Sequence, residues 1–318
     1  MRTKFLSSMR TLWDAGRRRA GRAGIGPTPF ELSQRSWARS IASYADLPVP
    51  YRRFFEPLEE AGAPFPLVVV TPSYEGFLHR ETEKLVCSTS DEVMVLEKRG
   101  NKLDVYRYPI SRIHCVEVSS VLLDARIKIL GFERDSRVPS STTIRFNAVT
   151  DFLFTPIVTR IRASAQARKA APGAGSDPFD EWGRRNFKFM NYARRSLMGG
   201  ESVIRAVFQP EIRVRVVSAF GRTYRRTISP THATILTDSE LVTIRETQYK
   251  GDRERYGGVW NYLPLDRIER LSVTREEDGL VAMSIHLPGE SRIQLQYEPA
   301  ARGELEALVR RFSELRED

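Results

Sequence analysis

Two stretches of the chain open a helix in the same way and stand 149 residues apart, Thr28-Pro29-Phe30-Glu31 and Asp177-Pro178-Phe179-Asp180. Each supplies an N-cap oxygen, a proline at the first helical position and an acid three residues after the cap. Together these serve the free N–H groups of a first turn. Further pairs follow in the same order. Ser43-Tyr44-Ala45 answers Asn191-Tyr192-Ala193, and Val68-Val69-Val70-Thr71-Pro72 answers Ala206-Val207-Phe208-Gln209-Pro210. Thr89-Ser90-Asp91-Glu92-Val93-Met94-Val95 answers Thr237-Asp238-Ser239-Glu240-Leu241-Val242-Thr243. The best match sets Tyr108-Pro109-Ile110-Ser111-Arg112-Ile113 against Leu263-Pro264-Leu265-Asp266-Arg267-Ile268, at an offset of 155. Thr142 to Phe146 and Arg292 to Leu295 align as well. Offsets that drift while the order holds are what loop insertions do to a duplicated unit.

Elements follow from periodicity. Phe30, Gln34, Trp37, Ile41 and Tyr44 fall on one face at helical spacing, which predicts a leading helix in the first copy. Short alternating strands fill the middle of each copy. Thr155-Pro156 starts a closing helix that carries Ile157, Val158 and Ile161. In the second copy Leu305, Leu308, Val309, Phe312 and Leu315 form the apolar stripe of its closing helix. Residues 165–176 are small, polar and broken by proline and glycine, so they read as a linker. The length of 318 residues suits two domains. The expected organisation is a basic arm over 1–27, partly disordered or an amphipathic helix, then a unit over 28–164, the linker, and a second unit over 177–318.

Thr237 to Ile244, Pro264 to Ile268 and Leu305 to Phe312, with their counterparts Thr89 to Val95, Pro109 to Ile113 and Ile157 to Ile161, carry a family resemblance. They resemble the bacterial pleckstrin-homology-like (PH/GRAM-type) domains, in two tandem copies. The resemblance implies two bent antiparallel sheets or open barrels, each plugged by its closing C-terminal helix. With the leading helices added, the expected fold class is α+β.

The net charge of +10 is unevenly spread. Residues 1–26 hold seven basic side chains against Asp14 alone, so 7 − 1 = +6, which leaves 10 − 6 = +4 for the rest. Affinity for anions is therefore mainly a property of the arm. Phe5, Met9, Leu12 and Trp13 share one helical face there, while Arg10, Arg17, Arg18 and Arg19 follow or lie opposite. An apolar stripe with a cationic remainder lies in a membrane interface; a solvated, disordered tail is the alternative reading. A second cationic set is Arg213 and Arg215, which alternate with Ile212, Val214 and Val216. Past Gly221 come Arg222, Arg225 and Arg226. In lipid-binding members of the resembled family this first hairpin holds an inositol phosphate, which implies an anion-binding role for those five arginines. Two departures count against it: no Lys/Arg-x-Arg follows the turn, and the matching stretch Tyr74 to Glu81 is not basic. A solvated strand face is the plainer reading.

Other chemistry finds little purchase. The apolar run Pro64 to Val70 falls far short of the ~20 residues of a transmembrane helix, and the N-terminus has no apolar signal core. The expectation is a cytoplasmic chain, peripheral on the inner membrane face. Cys87 and Cys115 make no disulfide framework. His114 beside Cys115 points to the opposite side of a strand, and Gly21-x-x-Gly24-x-Gly26 has no strand before it. The segment Gln248 to Tyr262 is rich in glycine and aromatics, and Val259 to Tyr262 reads as a strand start with Trp260 on the core side. No G-x-S-x-G, H-E-x-x-H or Walker loop occurs, and no cofactor is implied. These readings converge on a non-catalytic adaptor whose partner is a protein or an anionic lipid head group. Nucleic-acid binding through the arm is the alternative, and an enzyme of unrecognised type stands last because no residue can be named for it.

Overall fold

Short runs rich in Val, Ile and Leu, closed by Gly, Asp or Pro, suit a pleated surface and tight turns. They pair here as antiparallel strands throughout. The computed structural model describes residues 34–75, 80–164, 179–219, 222–247 and 257–317. Its first half holds β1 (Arg39–Ile41), α1 (Glu56–Glu60), β2 (Leu67–Thr71), β3 (Tyr74–Glu75) and β4 (Arg80–Glu81). After these come β5 (Lys84–Ser88), β6 (Glu92–Arg99), β7 (Lys102–Pro109), β8 (Ile113–Val121), β9 (Asp124–Phe132), β10 (Pro139–Asn147) and α2 (Thr155–Ala163). The second half opens with α3 (Asp180–Arg185) and α4 (Phe187–Ser196). It continues through β11 (Val203–Gln209), β12 (Ile212–Ala219), β13 (Arg222–Ser229), β14 (His232–Thr237), β15 (Glu240–Thr247) and β16 (Gly257–Pro264). It closes with β17 (Arg270–Arg275), β18 (Val281–Leu287), β19 (Ser291–Tyr297) and α5 (Arg302–Glu317). The architecture is α+β, with several open antiparallel sheets.

Both halves pass through the same element order: a strand, a small hairpin, three more strands, a 3-10 bend, a three-stranded meander and a closing helix. Local hydrogen bonds recur with that order. Thr89 Oγ1 accepts from the Glu92 N–H at 3.1 Å and Ile110 N–H donates to Asp91 O at 2.7 Å. Thr237 Oγ1 accepts from Glu240 N–H at 3.0 Å and Leu265 N–H donates to Ser239 O at 3.2 Å. A threonine hydroxyl that folds back on a nearby amide fixes the turn before each third strand.

The first half departs from the expected leading helix. Arg39–Ile41 is a strand laid on the edge of β2, and Tyr44–Asp46 and Val49–Phe54 are 3-10 turns. Pro48 and Pro50 remove the N–H groups that a continuing helix needs, while the edge of β2 offers unpaired ladder groups. Phe30, the first residue of the expected stripe, lies outside the described residues. Tyr51 and Phe55 from this leader are buried on Val68, Val70, Leu85 and Leu96. In the second half α3 and α4 cover the equivalent face, setting Trp182, Phe189 and Ala193 on Ala233, Ile235, Val242 and Ile244. Asn186 caps α4 by accepting from the Phe189 N–H at 3.1 Å.

A seam joins the halves. β8 pairs with β16 from Tyr262 opposite Val116 to Gly257 opposite Val121. One seven-stranded sheet therefore runs β10-β9-β8-β16-β15-β14-β11, and the chain from Trp37 onward is one compact unit. Gly257 is required by the close approach, since a Cβ there would meet Ser120 O at 2.2 Å. Arg267 donates from Nη1 to the carbonyls of Ile110 and Ile113, at 3.2 and 2.9 Å, in the opposite half.

Arg162 of α2 reaches the other way and is buried. Its Nε and Nη2 bond the Glu240 carboxylate, Nη2 donates to Ser196 O at 2.6 Å, and the guanidinium lies 3.9 Å from the Tyr262 ring centre. Glu201 sits 3.7 Å from Arg162 and accepts from the hydroxyls of Thr237 and Ser239 at 2.6 and 2.8 Å. Burial pushes the Glu240 carboxyl up to about 7; Arg162 pulls it back and Glu201 adds to the rise.

Candidate anion-binding cleft

Alternate residues of a strand share a face. One face of the seven-stranded sheet thus gathers Cys115 and Glu117 from β8, Lys128 and Leu130 from β9, Thr243 and Arg245 from β15, and Asn261 from β16. Ser291 to Leu295 of β19 form the facing wall of a cleft of ≈ 410 Å³, which spans both halves. At its floor the Cys115 thiol donates to Asn261 Oδ1 at 3.8 Å, and Asn261 Nδ2 donates to Thr243 Oγ1 at 3.0 Å. Lys128, Arg245 and Arg292 are exposed on its rim, and none of them forms an ion pair among the described residues. Glu117 is the lone carboxylate of the lining, so the balance is 3 − 1 = +2. A concave surface with surplus positive charge concentrates anions, and Lys and Arg give charge-assisted hydrogen bonds to phosphate or carboxylate oxygens. The volume lies in the range of small-molecule sites. A second recess of ≈ 350 Å³ between α3, β11 and α5 balances Glu181 and Glu304 against Arg185 and Arg205, and so has no preference for anions.

Burial pushes the Cys115 thiol well above its usual range. Cys87, buried in the first half, is pushed up to about 12 for the same reason. His232 and His114 are each lowered by burial to about 4, and are therefore neutral rings. Among the described residues no three His, Cys, Asp or Glu side chains come together to hold a metal ion.

The β8–β9 hairpin also bears an apolar tip. Leu122 adopts φ 55° and is 65% exposed, and Leu123 beside it is 61% exposed. Ala148 N–H donates to Leu123 O at 2.9 Å, which brings up the 3-10 turn Ala148–Leu153. Its Val149 and Phe152, eclipsed three residues apart, are exposed too. The equivalent turn of the second half is Glu276-Glu277-Asp278-Gly279, polar and with the positive φ placed on glycine. A positive φ on leucine costs on the order of 1–3 kcal/mol. The first half thus keeps two leucines in water on a strained turn, and the same hairpin carries Lys128 toward the cleft.

The arm residues Phe5, Met9, Leu12, Trp13, Arg10, Arg17, Arg18 and Arg19 lie outside the described residues. The five arginines of the second cationic set all belong to the hairpin β12–β13. Arg213 already pairs with Glu211 at 2.6 Å. Arg213 lies opposite Thr227 and Arg226 opposite Val214, so strand alternation sends these two arginines to opposite faces. Arg215 and Arg225 are register partners, and their side chains and that of Arg222 lie outside the described residues. A register shift after Ile212 leaves Val214 exposed, although the alternation predicts a buried face. Trp260 lies on the α4 side of the sheet, edge-on to Tyr192 at 4.8 Å. His114 and Cys115 diverge, one against Phe132 and the other toward Asn261.

Lys128, Arg245 and Arg292 stand far apart in the chain, and the seam that collects them leaves no local trace in the sequence. Their one signal is alternation within each strand, as in Arg126-Ile127-Lys128-Ile129. No helix among the described residues is long and apolar enough to cross a membrane. No protein-family model matches the chain, and a comparison with curated proteins finds none similar to it.

Proposed function

We propose that the chain is a non-catalytic binding module of two tandem pleckstrin-homology-like units that holds an anionic head group at the inner face of a membrane. The observation that carries this reading is the cleft, where Lys128, Arg245 and Arg292 form no ion pair among the described residues. The order shared by the halves, in which a 3-10 bend separates the leading strands from a three-stranded meander and a closing helix, supports the family reading. The exposed leucine tip, borne by the same hairpin as Lys128, favours a bilayer over a free anion, since an apolar patch together with positive charge suits an interface.

Sedimentation with phosphatidylcholine vesicles, with and without phosphatidylserine, tests the reading. Replacing Lys128, Arg245 and Arg292 together by serine is expected to lower affinity for the anionic vesicles about a hundredfold, at ~1 kcal/mol for each cation. Unchanged binding of that triple variant would remove the cleft from the mechanism. Leu122→Ser with Leu123→Ser is expected to weaken vesicle binding roughly tenfold or more while leaving capture of inositol hexakisphosphate intact. Parallel loss on both probes would show that the bilayer is not what the tip recognises. Deleting residues 1–26 measures the share of the arm, and equal binding without it would discard that element. Tighter binding to duplex DNA than to vesicles, with a steep salt slope, would favour the nucleic-acid reading.

A further inference from the structure

The seam between the halves joins two kinds of strand edge, and each half possesses both kinds. β8 ends the three-stranded part of the first half, and β16 ends the four-stranded part of the second. Their counterparts, β17 and β7, are end strands that pair with no further strand among the described residues. Aligning Pro109 with Pro264 and Ile113 with Ile268 maps one edge onto the other. In the seam Trp260 lies opposite Val118. The mapped positions are Val105 on β7 and Val273 on β17, both only half-buried at open edges. The same register sets Lys102 opposite Glu276, a favourable cross-strand pair.

Each of these edges is capped at one end, by a backbone N–H at β7 and by an arginine side chain at β17. At β7 the Arg134 N–H donates to Arg107 O at 2.8 Å, leaving Lys102 to Tyr106 as the open stretch. Arg134 Nε also bonds Glu92 at 2.8 Å, and Glu92 is the counterpart of the Glu240 that Arg162 holds in the seam. Arg112, the counterpart of Arg267, turns onto the carbonyls of Arg134 and Ser136 at 2.7 and 2.6 Å instead of onto another unit. The segment responsible, residues 133–138, is longer than the turn 288–290 that replaces it in the second half. At β17 the Ile268 carbonyl, counterpart of the Ile113 carbonyl that receives Arg267, receives Arg316 Nη1 at 2.7 Å. Arg316 belongs to the last turn of α5, which runs 16 residues where α2 runs 9.

We infer that the seam is a repeatable interface whose partner is a second copy of this chain. β17 of one copy pairs antiparallel with β7 of the next, and the 133–138 segment and Arg316 are competing caps that keep a single chain closed. Unpaired ladder groups invite strand addition, and a head-to-tail contact of this kind grows into open chains.

Sedimentation velocity over a concentration series tests the inference on full-length protein. The opened variant carries the turn Pro288-Gly289-Glu290 in place of residues 133–138, together with Arg316→Ala. It is expected to self-associate at least tenfold more tightly than the native chain. Adding Val273→Lys, or Val105→Lys, to the opened variant is expected to abolish the chains. An equimolar mixture of those two blocked proteins is expected to give dimers and nothing larger, because each keeps one usable edge. Should the grafted turn impair folding by near-ultraviolet circular dichroism, Arg134→Pro with Arg316→Ala serves as the opened form, because proline lacks the N–H that the Arg107 carbonyl receives. An opened protein that sediments like the native one overturns the inference. So does association that ignores Val273→Lys and Val105→Lys, or a mixture that forms no dimer.

Discussion

Replacing Arg162 by alanine is expected to lower the free energy of unfolding by about 3–5 kcal/mol, the loss seen when one member of a buried ion pair is removed. The guanidinium is buried between two carboxylates, Glu240 and Glu201, and covers the Tyr262 ring. Without it both acids remain desolvated, and the hydroxyls of Thr237 and Ser239 alone cannot carry their charge. Urea titration at pH 8 and at pH 5 measures the effect. The loss is expected to be smaller at pH 5, where a desolvated carboxyl takes up a proton instead of staying charged. In the native chain the folded Glu240 carboxyl titrates near 7, above its ordinary value of 4.5. Between those values the folded state holds a proton that the unfolded state has released, so stability from this group falls as pH rises through that window. Glu240→Gln is expected to flatten that slope. An Arg162→Ala protein as stable as the native one at both pH values would refute the role given to the cluster.

Phe189→Ala is expected to destabilise by about 3–5 kcal/mol, while Phe187→Ala two residues earlier changes stability by roughly 0.5 kcal/mol or less. Phe189 is fully buried on α4, 5.4 Å from the Phe208 ring and 5.8 Å from Tyr192, whereas Phe187 stands in solvent. The first change empties the contact that fixes α4 to the seven-stranded sheet; the second removes nothing packed. Thermal melts of the two variants side by side check the contrast, and equal losses would mean that α4 is not docked through Phe189.

Local chemistry was legible in the residues, and contact between the halves was not. The Thr-x-x-Glu turns at Thr89 and Thr237, the bends at Pro109 and Pro264, and the stripes of α2 and α5 all depend on neighbours within one turn or one strand. Their spacing alone announces them. Ile41 misled because its distance from Trp37 and Tyr44 suits a helix, while Pro48, Pro50 and the waiting edge of β2 decide for a strand. Nothing near Arg162 in the chain marks its role, since its partner Glu240 lies 78 residues away. The rim of the cleft was hidden for the same reason: Lys128, Arg245 and Arg292 converge only after β8 has met β16. Of the hairpin arginines, Arg213 proved to be already paired with Glu211, which a charge count cannot reveal.

The long reach of the β8–β16 pairing bears on how the chain is made. Val121 leaves the ribosome 141 residues before Tyr262, the last residue of the partner strand that pairs with β8 (262 − 121 = 141). At ~5–20 residues per second, the nascent first half waits on the order of 10 s with β8 exposed. During synthesis this is the stretch most open to a chaperone or to misjoining with a neighbouring nascent chain. Slowing translation between codons 165 and 256 should therefore lower the yield of folded protein more than equal slowing before codon 113.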